Sequence, residues 1–190
     1  LQVLTPTHRG DAGTRSLNFA LQAALNPPKP GKQERRFGEL IFREGDRVMQ
    51  TRNDYDVVWQ KGDGTAGTGI FNGDVGKIAK IDPSGELLEI VFDDRTATYT
   101  SDMLAELDMA YAMTVHKAQG SEYRGVVFVG APCAPSLMVR GVLYTAITRA
   151  RELLVIVGDD SAVNKMAEND RRSRRYSGLK WRLRKGGEEK

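Results

Sequence analysis

Thr114, His116, Lys117, Gln119, Ser121 and Glu122 fall within one polar turn around Gly120, immediately before the apolar run Val126–Val129. In α/β sheets, polar loops at strand ends are where ligands sit. A glycine at such a place lets backbone N–H groups approach a phosphate closely. Each residue alone has a plainer reading, since a lone histidine usually serves structure, but no core needs the whole string. A second segment, Leu143-Tyr-Thr-Ala-Ile-Thr-Arg-Ala-Arg151, places Leu143, Ile147 and Ala150 on one helical face as ordinary core. Thr148 and Arg149 lie off that stripe. Arg149 carries the planar, permanently charged fork that suits a phosphate in a neighbouring cleft; the competing reading is a solvated helix face.

The elements that must position these residues read as an α/β chain with an insert. Gln2–Thr5 predicts a short buried strand. The loop His8–Gly13 follows, and a helix capped by Thr14 carries Leu17, Phe19, Leu21 and Leu25 at helical spacing. Asn26-Pro-Pro-Lys-Pro30-Gly31 ends it. From about Phe42 to Leu107 short β-type segments alternate with Gly62-Asp-Gly64, Asn72-Gly-Asp74, Asp82-Pro-Ser-Gly85 and Asp93-Asp94, which is turn chemistry. That texture predicts a small antiparallel barrel. Beyond it come a buried strand at Val126–Val129, a helix from Ser136 to about Arg151, and a second strand at Leu153–Val157. The last of these is apolar enough for the interior of a parallel sheet. A further helix is expected over Asp159–Met166.

The 190 residues are 40% hydrophobic and 28% charged, a globular composition with a net charge of +3. Ten Lys/Arg against four Asp/Glu between Lys165 and Lys190 give that stretch +6, so the rest of the chain sums to −3. Basicity therefore does not by itself assign nucleic-acid binding. A single cysteine, Cys133, excludes an intramolecular disulfide framework, and His8 and His116 do not cluster as zinc ligands. The apolar stretch Val126–Val139 is interrupted by Pro132 and Pro135 and is too short to span a bilayer. No basic segment precedes Leu1–Leu4, so no signal peptide is expected.

Thr114-Val-His-Lys-Ala-Gln-Gly-Ser-Glu122 resembles motif V of superfamily 1 helicases in its RecD-like form, and Tyr144-Thr-Ala-Ile-Thr-Arg-Ala150 resembles their motif VI. Leu4–Gly13 with Leu17-Asn18 is similar to motif IV. Gly45–Gln50, Asn53–Tyr55 and Phe71–Gly76 resemble the inserted barrel of that group. The resemblance implies a RecA-like parallel sheet of the P-loop NTPase type, the second motor lobe without the P-loop itself, with an inserted small antiparallel β-barrel. Its parts would be 1–41 and 108–168 for the lobe, 42–107 for the barrel and 169–190 for a basic tail.

The resemblance further implies an ATP-dependent helicase moving 5′-to-3′ on single-stranded DNA, in a bacterial cytoplasm, serving repair or recombination. Arg149 would be the arginine finger at the γ-phosphate; Gln119, Gly120 and Glu122 would border ATP, Glu122 at the ribose; Arg9 or Arg15 would add a second phosphate contact. Thr114, His116 and Lys117 would face DNA. Tyr55, Trp59 and Phe71 are candidate aromatics for the barrel's DNA surface, with core packing the competing role, above all for Phe71. No window supplies G-x-x-x-x-G-K-[ST], and Ile90–Asp94, which imitates a magnesium site, reads as a hairpin turn. The Mg2+ ligands would then lie in the first lobe, and this chain alone should not hydrolyse ATP. Implied partners are single-stranded DNA and single/double-strand junctions, the chain's own N-terminal motor lobe and nuclease-complex subunits, with no membrane. The alternatives are a non-catalytic single-stranded nucleic-acid-binding module, or the helicase half of a relaxase or Pif-like helicase.

Overall fold

The computed structural model describes residues 1–171. In chain order the first half holds β1 (Gln2–Thr5), α1 (Thr14–Leu25), β2 (Glu34–Phe37), β3 (Leu40–Arg43), β4 (Arg47–Gln50), β5 (Asp54–Lys61), β6 (Ala66–Ile70) and β7 (Val75–Ile81). The second half holds β8 (Leu87–Phe92), β9 (Arg95–Thr100), a 3-10 turn (Met103–Glu106), β10 (Leu107–Met109), β11 (Ala112–Thr114), β12 (Tyr123–Gly130), α2 (Arg140–Ile147), β13 (Ala150–Gly158) and α3 (Asp160–Glu168). The basic tail expected from 169 lies outside the described residues beyond 171.

β11, β1, β12 and β13 stand side by side in that order, all parallel. Leu4, Val126 and Phe128 lie fully buried on one face, in one apolar cluster with Val142, Leu143, Ala146 and Met166 of α2 and α3. The insert is a seven-stranded antiparallel sheet in the order β10-β4-β7-β8-β9-β5-β6. Its strands alternate as a half-buried sheet must: Leu88, Ile90 and Phe92 point in while Leu87 and Glu89 point out. All seven strands contribute to one core, joined by Phe42 of β3. Among the described residues no ladder joins β10 to β6, so the hydrogen bonding stays open where the sequence pointed to a closed barrel. The hairpin reading of Ile90–Asp94 holds: Phe92 pairs with Arg95 across Asp93-Asp94, and Asp93 takes φ 52.

Three expectations change. α1 forms, but of its apolar stripe Leu17 and Leu21 are only half-buried and Phe19 and Leu25 are 78% and 67% exposed, while Thr14, Asn18 and Gln22 are buried. The reason is hydrogen bonding. Asn18 donates to Met109 O (3.0 Å) and Ala112 O (2.9 Å) and accepts from Ala112 N (2.7 Å). Nor does Thr14 cap the helix; Gly13 occupies that position. α2 is shorter than 136–151, because Ala150 already pairs with Tyr123 in the sheet. Finally β13 is an edge strand, paired only with β12, and Leu153, Ile156 and Val157 stay exposed among the described residues. An apolar run announces a strand, not the number of its neighbours.

Lobe and insert meet at a buried carboxylate. Asp46 is fully buried and accepts from Gln22 Nε2 (2.6 Å), Asn26 Nδ2 (2.6 Å), Tyr111 Oη (2.8 Å) and the Arg43 N–H (2.8 Å). Burial, and then the bond to Asp46, push the Tyr111 phenol well above its ordinary range, so it stays a neutral donor. Asp46→Ala orphans these buried donors and is expected to cost about 3 kcal/mol or more, against about 1 kcal/mol for Tyr111→Phe. Urea unfolding at unchanged slope measures both. A loss under about 1 kcal/mol for Asp46→Ala would show that this network is not what joins the two parts.

Candidate functional site

Thr5 and Thr114 end β1 and β11 in register, and the Val115 N–H donates to Thr5 O at 3.0 Å. Residues 115–120 then make one tight turn, with Ala118 N–H bonded to Thr114 O and Ser121 N–H to Ala118 O, both at 3.2 Å. Val115 and Ala118 are buried in the lobe's core. Their burial forces His116, Lys117, Gln119 and Gly120 outward. β12 runs parallel to β11, so this segment must return from the carboxyl edge of the sheet to its amino edge before Tyr123 can begin the strand. The polar string of the sequence is thus a crossing that reaches both edges.

At the amino edge stands Arg149, half-buried in the turn between α2 and β13. Its carbonyl accepts from Tyr123 N–H at 2.8 Å. Its Nη1 donates to Ser121 O (2.9 Å), Nε to Thr145 O (3.2 Å) and Nη2 to Thr148 Oγ1 (3.3 Å). Arginine has about five N–H donors, so these three bonds leave two without a partner among the described residues. Glu122, exposed, pairs loosely with Arg151 at 3.8 Å. Gln119 and His116 line a groove of about 920 Å³ together with Arg140, Tyr144 and Thr145 of α2.

At the carboxyl edge, Thr114 and Lys117 line a smaller cavity of about 270 Å³ with His8 and, from the insert, Thr51. Lys117 Nζ donates to Asn72 Oδ1 of the insert at 2.8 Å. The three residues expected to face DNA are therefore divided: Thr114 and Lys117 share one cavity, His116 borders another groove. Arg9 follows His8 in the loop leaving the carboxyl end of β1, away from the Arg149 turn in the sheet's topology, and Arg15 pairs with Glu39 of the β2–β3 turn. His8, Thr51 and Asn72 were not singled out by sequence reasoning. His8 lies inside the motif IV stretch and Asn72 inside Phe71–Gly76 of the barrel resemblance, where it reads as turn chemistry. Among the described residues no three His, Cys, Asp or Glu side chains are grouped to hold a metal ion, and no helix is long and apolar enough to cross a membrane.

Residues 17–92 match the family model of the ATP-dependent RecD-like DNA helicase SH3 domain, and residues 109–157 that of the UvrD-like helicase C-terminal domain. The second match covers motifs V and VI, and the first covers most of the insert. Together they define a superfamily 1 helicase C-terminal lobe interrupted by an SH3-type sheet. Over both of its parts the chain is similar to RecD-like members of these helicases. It is 37% identical over 174 residues to the ATP-dependent RecD2 DNA helicase of Deinococcus radiodurans, covering 92% of this chain and 22% of that protein. It is 32% identical over 189 residues to the RecBCD enzyme subunit RecD of Mycolicibacterium smegmatis, covering 98% of this chain and 30% of that one. The chain thus spans less than a third of either relative. The fold is also that of Bacteroides Pif1 bound to ssDNA, at a TM-score of 0.54 and 17% identity over 98% of this chain and 46% of that one.

Gly120 and Gly141 offer a paired test of the crossing segment. Neither has an atom within 4 Å of where a Cβ would stand, but only Gly120 has φ +90. Gly120→Ala is expected to destabilise by about 1–2 kcal/mol through the left-handed backbone alone. Gly141→Ala, inside α2, is expected to stabilise by up to about 1 kcal/mol. Urea midpoints of the same sign for the two variants would refute the strained turn at Gly120.

Proposed function

We propose that the chain is the second motor lobe, with its SH3-type insert, of an ATP-dependent DNA helicase that moves 5′-to-3′ on single-stranded DNA and unwinds the duplex ahead of it. The observation that carries this reading is the crossing segment 114–122. One end touches the insert through Lys117, and the other is held by the Arg149 guanidinium on Ser121 O. A change at either end is therefore transmitted through a short, half-buried turn.

In this reading ATP is the substrate, bound between this lobe and an N-terminal lobe that carries the P-loop and the Mg2+ ligands. Gly120 leaves open space before the backbone where a phosphate needs room. Arg149 keeps two donors for the γ-phosphate while the other three hold it in place, the preorganisation that transition-state charge demands. Glu122 accepts from the ribose, and Gln119 borders the phosphates. Thr114 and Lys117 hold the DNA backbone from the cavity beside the insert. His116, across the turn, senses the same movement; Arg9, at the carboxyl edge and away from the Arg149 turn, is not given the second phosphate contact. The likeness to a RecBCD enzyme subunit supports nuclease-complex subunits as partners of the whole protein, which this reading puts in a bacterial cytoplasm.

The test is ATPase activity of this chain, alone and joined to its upstream region, with and without single-stranded DNA. Silence alone and DNA-stimulated turnover when joined are expected; turnover by the isolated chain would overturn the half-site reading. In the joined protein, Arg149→Ala is expected to lower turnover on the order of a thousandfold while ATP binding suffers less. Unchanged turnover would remove Arg149 from the role. His116→Ala is expected to blunt the stimulation by DNA and spare the basal rate, so full stimulation in that variant would place His116 outside the coupling.

A further inference from the structure

Tyr55 and Phe71 stand edge to face on the insert, ring centroids 5.6 Å apart at 71°, and both reach solvent, 66% and 41% exposed. Trp59 does not share that surface. It lies half-buried over Gly67, with Lys61 and Arg95 cations near its ring. Single exposed aromatics are ordinary; this pair is built. Gly69 takes φ +95, and a Cβ there would come within 2.9 Å of the Phe71 ring, so the ring rests in space that only glycine leaves. The Phe71 N–H donates to Asp74 Oδ2 (3.1 Å), itself paired with Arg95 (3.2 Å). The next N–H, of Asn72, donates to Asn53 Oδ1 at 3.0 Å, which ties the turn to the start of Tyr55's own strand.

The side chain of Asn72 completes the arrangement, because its Oδ1 accepts from Lys117 Nζ. The ring pair is therefore one residue along the chain from the asparagine that holds an ammonium of the crossing segment. A flat ring face held open to water suits the π-face of a base, and the cation suits the phosphate next to it.

Resting on the single-stranded DNA reading above, we propose that Tyr55 and Phe71 form a stacking ledge for one nucleobase of single-stranded DNA, and that the Asn72–Lys117 bond fixes the ledge to the crossing segment. The insert then grips a base while the lobe grips the adjoining phosphate, and the two grips move as one unit.

The experiment uses the full-length parent helicase and an oligothymidylate carrying a single 2-aminopurine, moved along the strand one position at a time. Stacking on the ledge is expected to quench its fluorescence at one position in the wild type. Tyr55→Ala is expected to lose that quench and weaken binding about tenfold, as removal of one base-stacking side chain does; Tyr55→Phe is expected to keep both. An abasic site at the quenched position should weaken the wild type by the same factor and Tyr55→Ala no further. Asn72→Ala is expected to keep the quench but spread it over neighbouring positions. Tight binding without a quench at any position, or an abasic penalty equal in wild type and Tyr55→Ala, overturns the ledge and leaves the DNA reading standing. A lower Tm for Tyr55→Ala with an unchanged quench overturns it too, since the rings would then be covered by protein. No binding by the wild-type parent would instead sink the DNA reading itself.

Discussion

The fully buried carboxylate of Asp46 gathers the polar ties that hold lobe and insert to each other, beside the Arg47 bonds to Leu1 O and Gln2 Oε1 and the packing of Met49 into the lobe's apolar cluster. Its four donors come from α1, from its own turn, and from Tyr111 in the segment that re-enters the parallel sheet. An insert needs an outgoing and a returning connection, and both carry backbone groups that must find partners once buried. α1 meets that demand by turning amides inward: Asn18 serves the returning chain, Gln22 also donates to Ile41 O (2.7 Å), and Asn26 to Glu44 O (3.1 Å). Apolar packing along the same helix would bury area without fixing direction. Hydrogen bonds to one carboxylate specify both distance and angle, which is what an orientation between two sheets requires.

That orientation decides what the crossing segment can do. The Lys117–Asn72 bond is exposed, and contacts of that kind contribute little stability, on the order of 1 kcal/mol or less. It cannot hold the insert in position. With the position already set through Asp46, a weak bond is enough to register the lobe's turn against the insert's turn.

Family motifs were more legible in the sequence than packing. Motif strings are contiguous, so Thr114–Glu122 and Tyr144–Ala150 announced themselves, and the turn residues recurring between short β-type segments announced the insert. What stayed hidden depends on partners distant along the chain. The apolar stripe of α1 suggested a buried face, yet the buried face is the amide row Asn18, Gln22 and Asn26, whose acceptors lie at Asp46 and beyond Met109. A run such as Leu153–Val157 carries no record of whether one strand or two will flank it. Asn72 looked like any turn asparagine, because its relation to Lys117 exists only after both sheets are folded and set against each other.

Arg149, in the phosphate role proposed for it, shows why such a residue is legible by type and not by geometry. A guanidinium aimed freely at a cleft would lose side-chain entropy each time it met a phosphate. Here three of its donors already hold Thr145 O, Thr148 Oγ1 and Ser121 O, so the rotamer is fixed in advance. The same bonds make the arginine a structural part of the loop it serves. The bond to Ser121 O joins motif VI to motif V across the amino ends of β12 and β13. On the proposed reading, a pull on the guanidinium from a phosphate would be felt at Ser121, pass along the turn whose buried residues are Val115 and Ala118, and arrive at Thr114 and Lys117. Communication between the two edges of the sheet needs no large domain motion within this chain; it needs only that one turn be short, anchored at both ends and packed in the middle.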